Sequence, residues 1–184
     1  MKPLLLSSIL GALVAFFWGF LSWTVLPWHK TLSFSDDEEV AAVLRKNAAV
    51  HGIYMLPGEK GRDQAAMEKW QKQAVAGPFM FAVVRPGSAE ISMGRLMAGS
   101  FGIQFIGAFL ISALLLTARP MAYGVRVLFV VIVALAGGVL SHLPGWNWWE
   151  TPTSWVLVQL VDLAIGWALA GLVIAKFANP ESQR

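Results

Sequence analysis

The sequence predicts an all-α integral membrane protein, a four-transmembrane-helix bundle with a small α/β extracytoplasmic subdomain between the first and second membrane helices. Of its 184 residues, 57% are hydrophobic and only 14% are charged, whereas soluble domains carry about 25% charged residues. The apolar residues also cluster into runs that reach the ~20 residues needed to cross a bilayer. Soluble, disordered and disulfide-stabilised secreted proteins are therefore excluded.

Four apolar runs predict the membrane helices, at residues 3–27, 96–118, 123–143 and 154–177. The first follows Lys2 and so resembles a signal peptide at its start. Its apolar stretch exceeds the ~7–15 residues of a signal-peptide core, and no small-residue cleavage pattern follows it. We expect an uncleaved anchor.

The positions of Lys and Arg predict the orientation of the helices. Basic residues occur at the N-terminus, in the connection between the second and third helices and at the C-terminus (Lys2, Arg119, Arg126, Lys176 and Arg184). The connection at 144–153 has none. Because short cytoplasmic segments are enriched in Lys and Arg, both termini should be cytoplasmic in a bacterial-type inner (plasma) membrane. Six tryptophans then lie at the outer face, as an interfacial belt or as a ligand platform: Trp23, Trp28, Trp146, Trp148, Trp149 and Trp155.

Residues 28–95 alone have the composition of a soluble segment. A capping box starting at Ser35 predicts one helix, and Asp63 predicts the start of a second. Short β-prone runs at 53–56 and 79–84 predict two strands bounded by Pro and Gly. We expect a subdomain too small to hold a large core, which leans on the membrane face or on a partner.

Asp162 is the most informative residue because it falls inside the fourth span. A carboxylate at mid-membrane costs ~2.5–3.5 kcal/mol on insertion scales, so it should face protein or water and have a partner. Gln159 lies one turn away on the same face. Gln104, on a polar stripe of the second span, is predicted at a similar depth. These three residues form the predicted intramembrane polar cluster, which either joins helices or handles protons.

Histidines and an acidic residue supply a second set of candidates at the outer interface: His29, His142 and Glu150, together with Trp146, Trp148 and Trp149. His29 and His142 with Glu150 could bind a metal or haem, although His29 lies beyond Pro27 and outside regular helix. Hydrogen bonding at the interface is the default interpretation, and we expect no cofactor. The absence of Cys excludes Fe–S clusters and thiolate zinc sites.

Small residues recur in the last three spans, including Gly99, Gly102, Gly107, Gly137, Gly138, Gly166 and Gly171. Such residues let helix backbones approach closely, either within the bundle or against another protein. Packing within the bundle is the favoured interpretation.

No motif identifies an activity, because the chain lacks a nucleophile elbow, a zincin helix, a phosphate loop and a dinucleotide fingerprint. The near balance of 14 basic and 11 acidic residues argues against nucleic-acid binding. We expect a non-enzymatic accessory or scaffolding subunit of a larger membrane assembly, with the bilayer and other membrane subunits as partners. The alternative is a small transporter or proton-linked channel that uses Asp162.

Overall fold

A computed structural model describes residues 1–58 and 61–179. Its elements are α1 Lys2–Thr24, α2 Asp37–Asn47, β1 Gly52–Leu56, α3 Gln64–Ala76, β2 Met80–Val84, α4 Met93–Thr117, α5 Tyr123–Trp148 and α6 Thr153–Phe177. Helices α1, α4, α5 and α6 are long and apolar enough to cross a membrane. The prediction of four apolar membrane-length helices and a small sheet is confirmed.

The third predicted span ends at 143, but α5 continues through Pro144 to Trp148. A proline inside a helix removes one N–H donor and is tolerated where neighbouring groups compensate. Beyond it, the amides of Trp149 and Thr151 both donate to the carbonyl of Gly145 and close the helix end. The connection between α5 and α6 is therefore only four residues, 149–152.

The chain divides into two compact units, Met1–Lys30 with Ser92–Arg184, and Thr31–Ile91. In the first unit, the main helix interfaces join α1 to α4, α1 to α6, and α5 to α6, whereas α4 touches α5 only slightly. In each pair, an early residue of one helix contacts a late residue of the other, so the pairs are antiparallel, as in an up-and-down bundle. The helices α1 and α6 thus form the central pair of the bundle.

Small residues allow these interfaces to be tight. Ala12 of α1, Ala108 of α4 and Ala170 of α6 are completely buried in one apolar core with Leu115 and Ile174. Without a hydrophobic driving force between helices in lipid, such close contacts supply much of the association energy.

The second unit contains α2, α3 and a two-stranded antiparallel sheet in which Ile53 pairs with Val83. The side chain of Asp36 caps α2 by accepting from the amide of Glu39, so the helix starts one residue later than the capping box at Ser35 predicts. Asp63 caps α3 as predicted, by accepting from Ala66. An acidic cap is favoured at this position because it meets the positive end of the helix dipole.

Arg126 joins α5 to the last turn of α6. Its side chain is buried, and its Nε atom donates to the carbonyl of Ala175 at 2.9 Å. Its Nη1 atom donates to the carbonyl of Met121 at 2.6 Å and to Asn179 Oδ1 at 3.3 Å. A cation here satisfies carbonyls that the helix end leaves unpaired and complements the negative end of the dipole. We call this the basic end of the bundle, defined by Arg119, Arg126 and Lys176.

Two adjacent glycines of α5 give a matched test of this packing. A Cβ atom at Gly138 would clash with Leu163 of α6, whereas one at Gly137 would meet no atom within 4 Å. We expect Gly138→Val to destabilise the bundle by about 1–3 kcal/mol through overpacking, and Gly137→Val to have little effect. Unfolding of the purified variants in a denaturing-detergent titration measures both. Equal destabilisation by the two substitutions would contradict the α5–α6 interface.

Candidate functional site

The carboxylate of Asp162 lies between α6 and α1. It is about 13 Å along α6 from Thr153, at 1.5 Å per residue. The indole N–H of Trp18 donates to Asp162 Oδ1 at 2.7 Å and lies 3.2 Å from the main-chain carbonyl of the same residue. The short distance is typical of a charge-assisted hydrogen bond to a carboxylate. Asp162 therefore faces protein, as its cost in a membrane requires.

The second carboxylate oxygen contacts His29, which follows α1. His29 Nε2 lies 3.4 Å from Asp162 Oδ2 and 3.0 Å from the hydroxyl oxygen of Ser22. Ser22 is fully buried and also accepts a hydrogen bond from the indole N–H of Trp28 at 3.0 Å. A proton on Nε2 suits both neighbouring oxygens. The resulting cluster of Trp18, Ser22, Trp28, His29 and Asp162 is called the Asp162 cluster below.

Aromatic rings enclose the imidazole of His29. The ring of Trp23 stacks on it with centroids 4.0 Å apart and planes 5° apart. Trp28 and Trp155 meet it at steep angles, with centroids 5.9 Å and 6.2 Å away. The side chain of His29 is therefore only 2% exposed, and that of Asp162 is 14% exposed. Rings packed in this way shield the imidazole from bulk water, which strengthens its polar contacts with Asp162 and Ser22.

Local sequence explains how these side chains meet. Gly166 lies one turn after Asp162 on α6, and a Cβ atom there would come within 2.6 Å of Cδ1 of Trp18. The glycine therefore gives the indole room to lie against α6. After α1, the segment containing Pro27 cannot continue the helix, and it brings His29 back beside Ser22. The tryptophans Trp23, Trp28 and Trp155 define the aromatic end of the bundle.

The predicted partners of Asp162 do not bond to it. Among the residues that the structure describes, no hydrogen bond joins Asp162 to Gln104 or Gln159; Trp18 and His29 contact its oxygens instead. Gln159 is half-buried on α6. Gln104 lies on α4 and lines a crevice between α4 and α1. The predicted Gln104–Asp162 hydrogen bond is absent from the described residues, because α1 packs extensively on α6 whereas α4 touches it only slightly.

The predicted outer-interface residues other than His29 lie in the last turns of α5 or directly after it. His142 is half-buried near the end of α5, and Glu150 follows the helix with a φ of 53°. Trp146 donates to the hydroxyl of Thr153 at 3.0 Å, Trp148 is exposed, and Trp149 belongs to the turn that ends α5. Within residues 1–58 and 61–179, no three His, Cys, Asp or Glu side chains come together as a metal site. His29 is enclosed rather than exposed at the surface.

Sequence reasoning missed Trp18 and Ser22, and assigned Trp23, Trp28 and Trp155 to a membrane belt. A signal for Trp18 was present. It lies nine residues before Pro27, the predicted end of the first span, which is about 13 Å deep like Asp162, and an indole N–H can donate to a carboxylate. The folding back of His29 had no comparable signal, because it depends on the conformation of the turn after α1.

The geometry gives the cluster two chemical capacities. It holds a carboxylate inside a membrane-length helix by donors from another helix, and it places an imidazole beside that carboxylate. A carboxylate and an imidazole can also exchange a proton. In comparisons with protein-family profiles, curated proteins and solved structures, nothing matched the chain.

A double-mutant cycle tests the Trp18–Asp162 hydrogen bond. We expect Trp18→Phe and Asp162→Leu to show a coupling free energy of about 0.6–1.7 kcal/mol, the range found for hydrogen bonds between membrane helices. The measurement is again unfolding in a denaturing-detergent titration. As a control, Trp146→Phe should be additive with Asp162→Leu, because Trp146 bonds to Thr153. Additivity in both pairs would refute the bond.

Proposed function

We propose that the protein is a non-enzymatic accessory or scaffolding subunit of a larger assembly in a bacterial-type inner membrane. In this proposal both termini are cytoplasmic and residues 31–91 lie on the opposite side. Other membrane proteins and the bilayer are its partners.

The observation that carries the proposal is the way in which the intramembrane carboxylate is used. Both oxygens of Asp162 contact protein groups, Oδ1 through Trp18 and Oδ2 through His29. These contacts join α6 to α1 and to the segment that follows it, and aromatic rings enclose the imidazole beside the carboxylate. An acidic group that stabilises a helix pair in this way supports a structural role more than a substrate site.

An exposed apolar surface in the second unit adds support. Ile53 and Val83 are directly opposite each other on β1 and β2, and they are 67% and 70% exposed. Adjacent exposed apolar side chains on one face of a sheet form a small patch that another protein can cover. We call this pair the Ile53–Val83 face.

The test isolates the tagged chain from its native membranes, at native expression level, in a gentle detergent. We expect it to migrate with other membrane proteins in fixed stoichiometry, measured by light scattering and quantitative mass spectrometry. Ile53→Lys with Val83→Lys should lower recovery of those proteins by about tenfold, which corresponds to ~1.4 kcal/mol at the interface.

Gln71→Lys is the matched control, since it adds the same charge to an exposed position of α3 in the same unit. It should leave recovery unchanged, and all variants should insert into the membrane equally. A chain that purifies without other subunits, or a complex that survives both lysines, would contradict the scaffolding proposal.

A second candidate is a proton-linked channel or transporter that uses Asp162. One observation favours it: Nδ1 of His29 is buried and has no hydrogen-bond partner in the part of the chain that the structure describes. Its Nε2 atom faces Asp162. A nitrogen without a partner in a buried site is expensive, and a water molecule, which can also carry a proton, would satisfy it.

Proton flux into liposomes distinguishes the two functions. If the channel candidate is right, the purified protein should pass protons under an imposed gradient, and Asp162→Asn should remove most of that flux. Trp146→Phe, which removes a hydrogen bond to Thr153 rather than one within the cluster, should leave the flux unchanged. A flux equal to that of empty liposomes, or one unaffected by Asp162→Asn, would eliminate the candidate.

A further inference from the structure

A crevice separates α1 from α4 toward the aromatic end of the bundle. Its volume is about 350 Å³. The residues on its walls include Phe16, Gly19, Phe20 and Trp23 from α1, and Ser100 and Gln104 from α4. The first turns of α4, from Met93 to Ser100, are exposed throughout, so no described residue of the same compact unit covers that side of the crevice.

Gln104 makes the crevice more than an apolar groove. Its amide carries donors and an acceptor, yet it has no hydrogen bond to any residue in the ranges 1–58 and 61–179. The helix around it is apolar enough to span a membrane, and acyl chains offer nothing for an amide to bond to. The facing wall of α1 is aromatic apart from Gly19. A polar side chain from outside this chain is therefore the expected partner.

We propose that a second copy of this chain covers the crevice and that the Gln104 side chains of the two copies hydrogen-bond to each other. An amide is self-complementary, since each can donate to and accept from its twin. A two-fold axis beside Gln104 satisfies both amides at once, which is the arrangement of a symmetric dimer.

The shape and the surroundings of the crevice favour the same occupant. A volume of about 350 Å³ admits a few side chains, not a whole helix. The neighbouring residues Leu96 and Ile103 of α4 are 50% and 70% exposed and supply apolar groups of that size to the opposite copy. The proposed dimer needs only copies of this chain, so it can be tested in purified protein independently of the proposed scaffolding function.

The chain has no cysteine, so an introduced one reports contact between copies alone in purified protein. We expect Ser100→Cys to form a disulfide-linked dimer in liposomes at high lipid excess. Ile106→Cys is the matched control, because Ile106 is 60% exposed but lies about 200° around the helix from Gln104. It should stay monomeric under the same oxidation.

Gln104→Leu should lower the association constant of the dimer by about tenfold. Energy transfer between labelled copies, followed as the protein is diluted in lipid, measures this constant. Gln104→Asn, which keeps an amide, should retain dimerisation. The unfolding midpoints of both variants control for folding. Equal crosslinking at positions 100 and 106, a monomer at all dilutions with the crevice occupied by lipid, or a dimer unaffected by Gln104→Leu would overturn the proposal.

Discussion

A polar group inside a bilayer must be satisfied by protein, and the rest of this structure depends on how Asp162 meets that constraint. Lipid tails offer no donor, so the carboxylate of α6 bonds to Trp18 of α1 and contacts His29 after it. These contacts fix which faces of α1 and α6 meet. They also determine the path of the chain after α1, because His29 must return beside Ser22.

The opposite end of the bundle meets the same constraint with a different group. The buried guanidinium of Arg126 donates to the carbonyl of Ala175 at the end of α6, where the helix dipole is negative, and to the carbonyl of Met121 before α5. Between these two polar contacts, the helices pack through alanine and glycine, which allow close approach but little specificity of their own. Thus α6 is held to α1 near one end by a carboxylate and to α5 near the other by a cation.

The crevice at Gln104 and the Ile53–Val83 face take no part in this internal network. Asp162 and Arg126 have partners within the chain, whereas Gln104 has none among the residues described, and the Ile53–Val83 face is open. The outward-facing amide and the apolar sheet face are the surfaces to which we assign contacts with other chains. The buried Nδ1 atom of His29, by contrast, has no partner among the described residues, and this observation favours the proton-linked candidate.

Local features of the sequence are enough to predict the four membrane-length helices, the two short strands and one carboxylate that needs a partner. These features follow from local quantities: the length of apolar runs, alternation, caps such as Asp63, and the cost of burying charge. The sequence does not predict that α5 continues through Pro144, because a helix tolerates an internal proline only where neighbouring groups compensate for the lost hydrogen bond.

Which groups contact the carboxylate of Asp162 depends on how the helices pack in three dimensions. Gln104 has suitable chemistry and is predicted at a similar depth, but α4 packs chiefly on α1, and its amide makes no hydrogen bond to Asp162 among the described residues. Trp18 reaches Asp162 because Gly166 leaves space for an indole, and His29 reaches it because the chain turns back after Pro27. Depth along a helix can be counted from the sequence, whereas the order of helices around a bundle depends on contacts between residues that are distant in the chain.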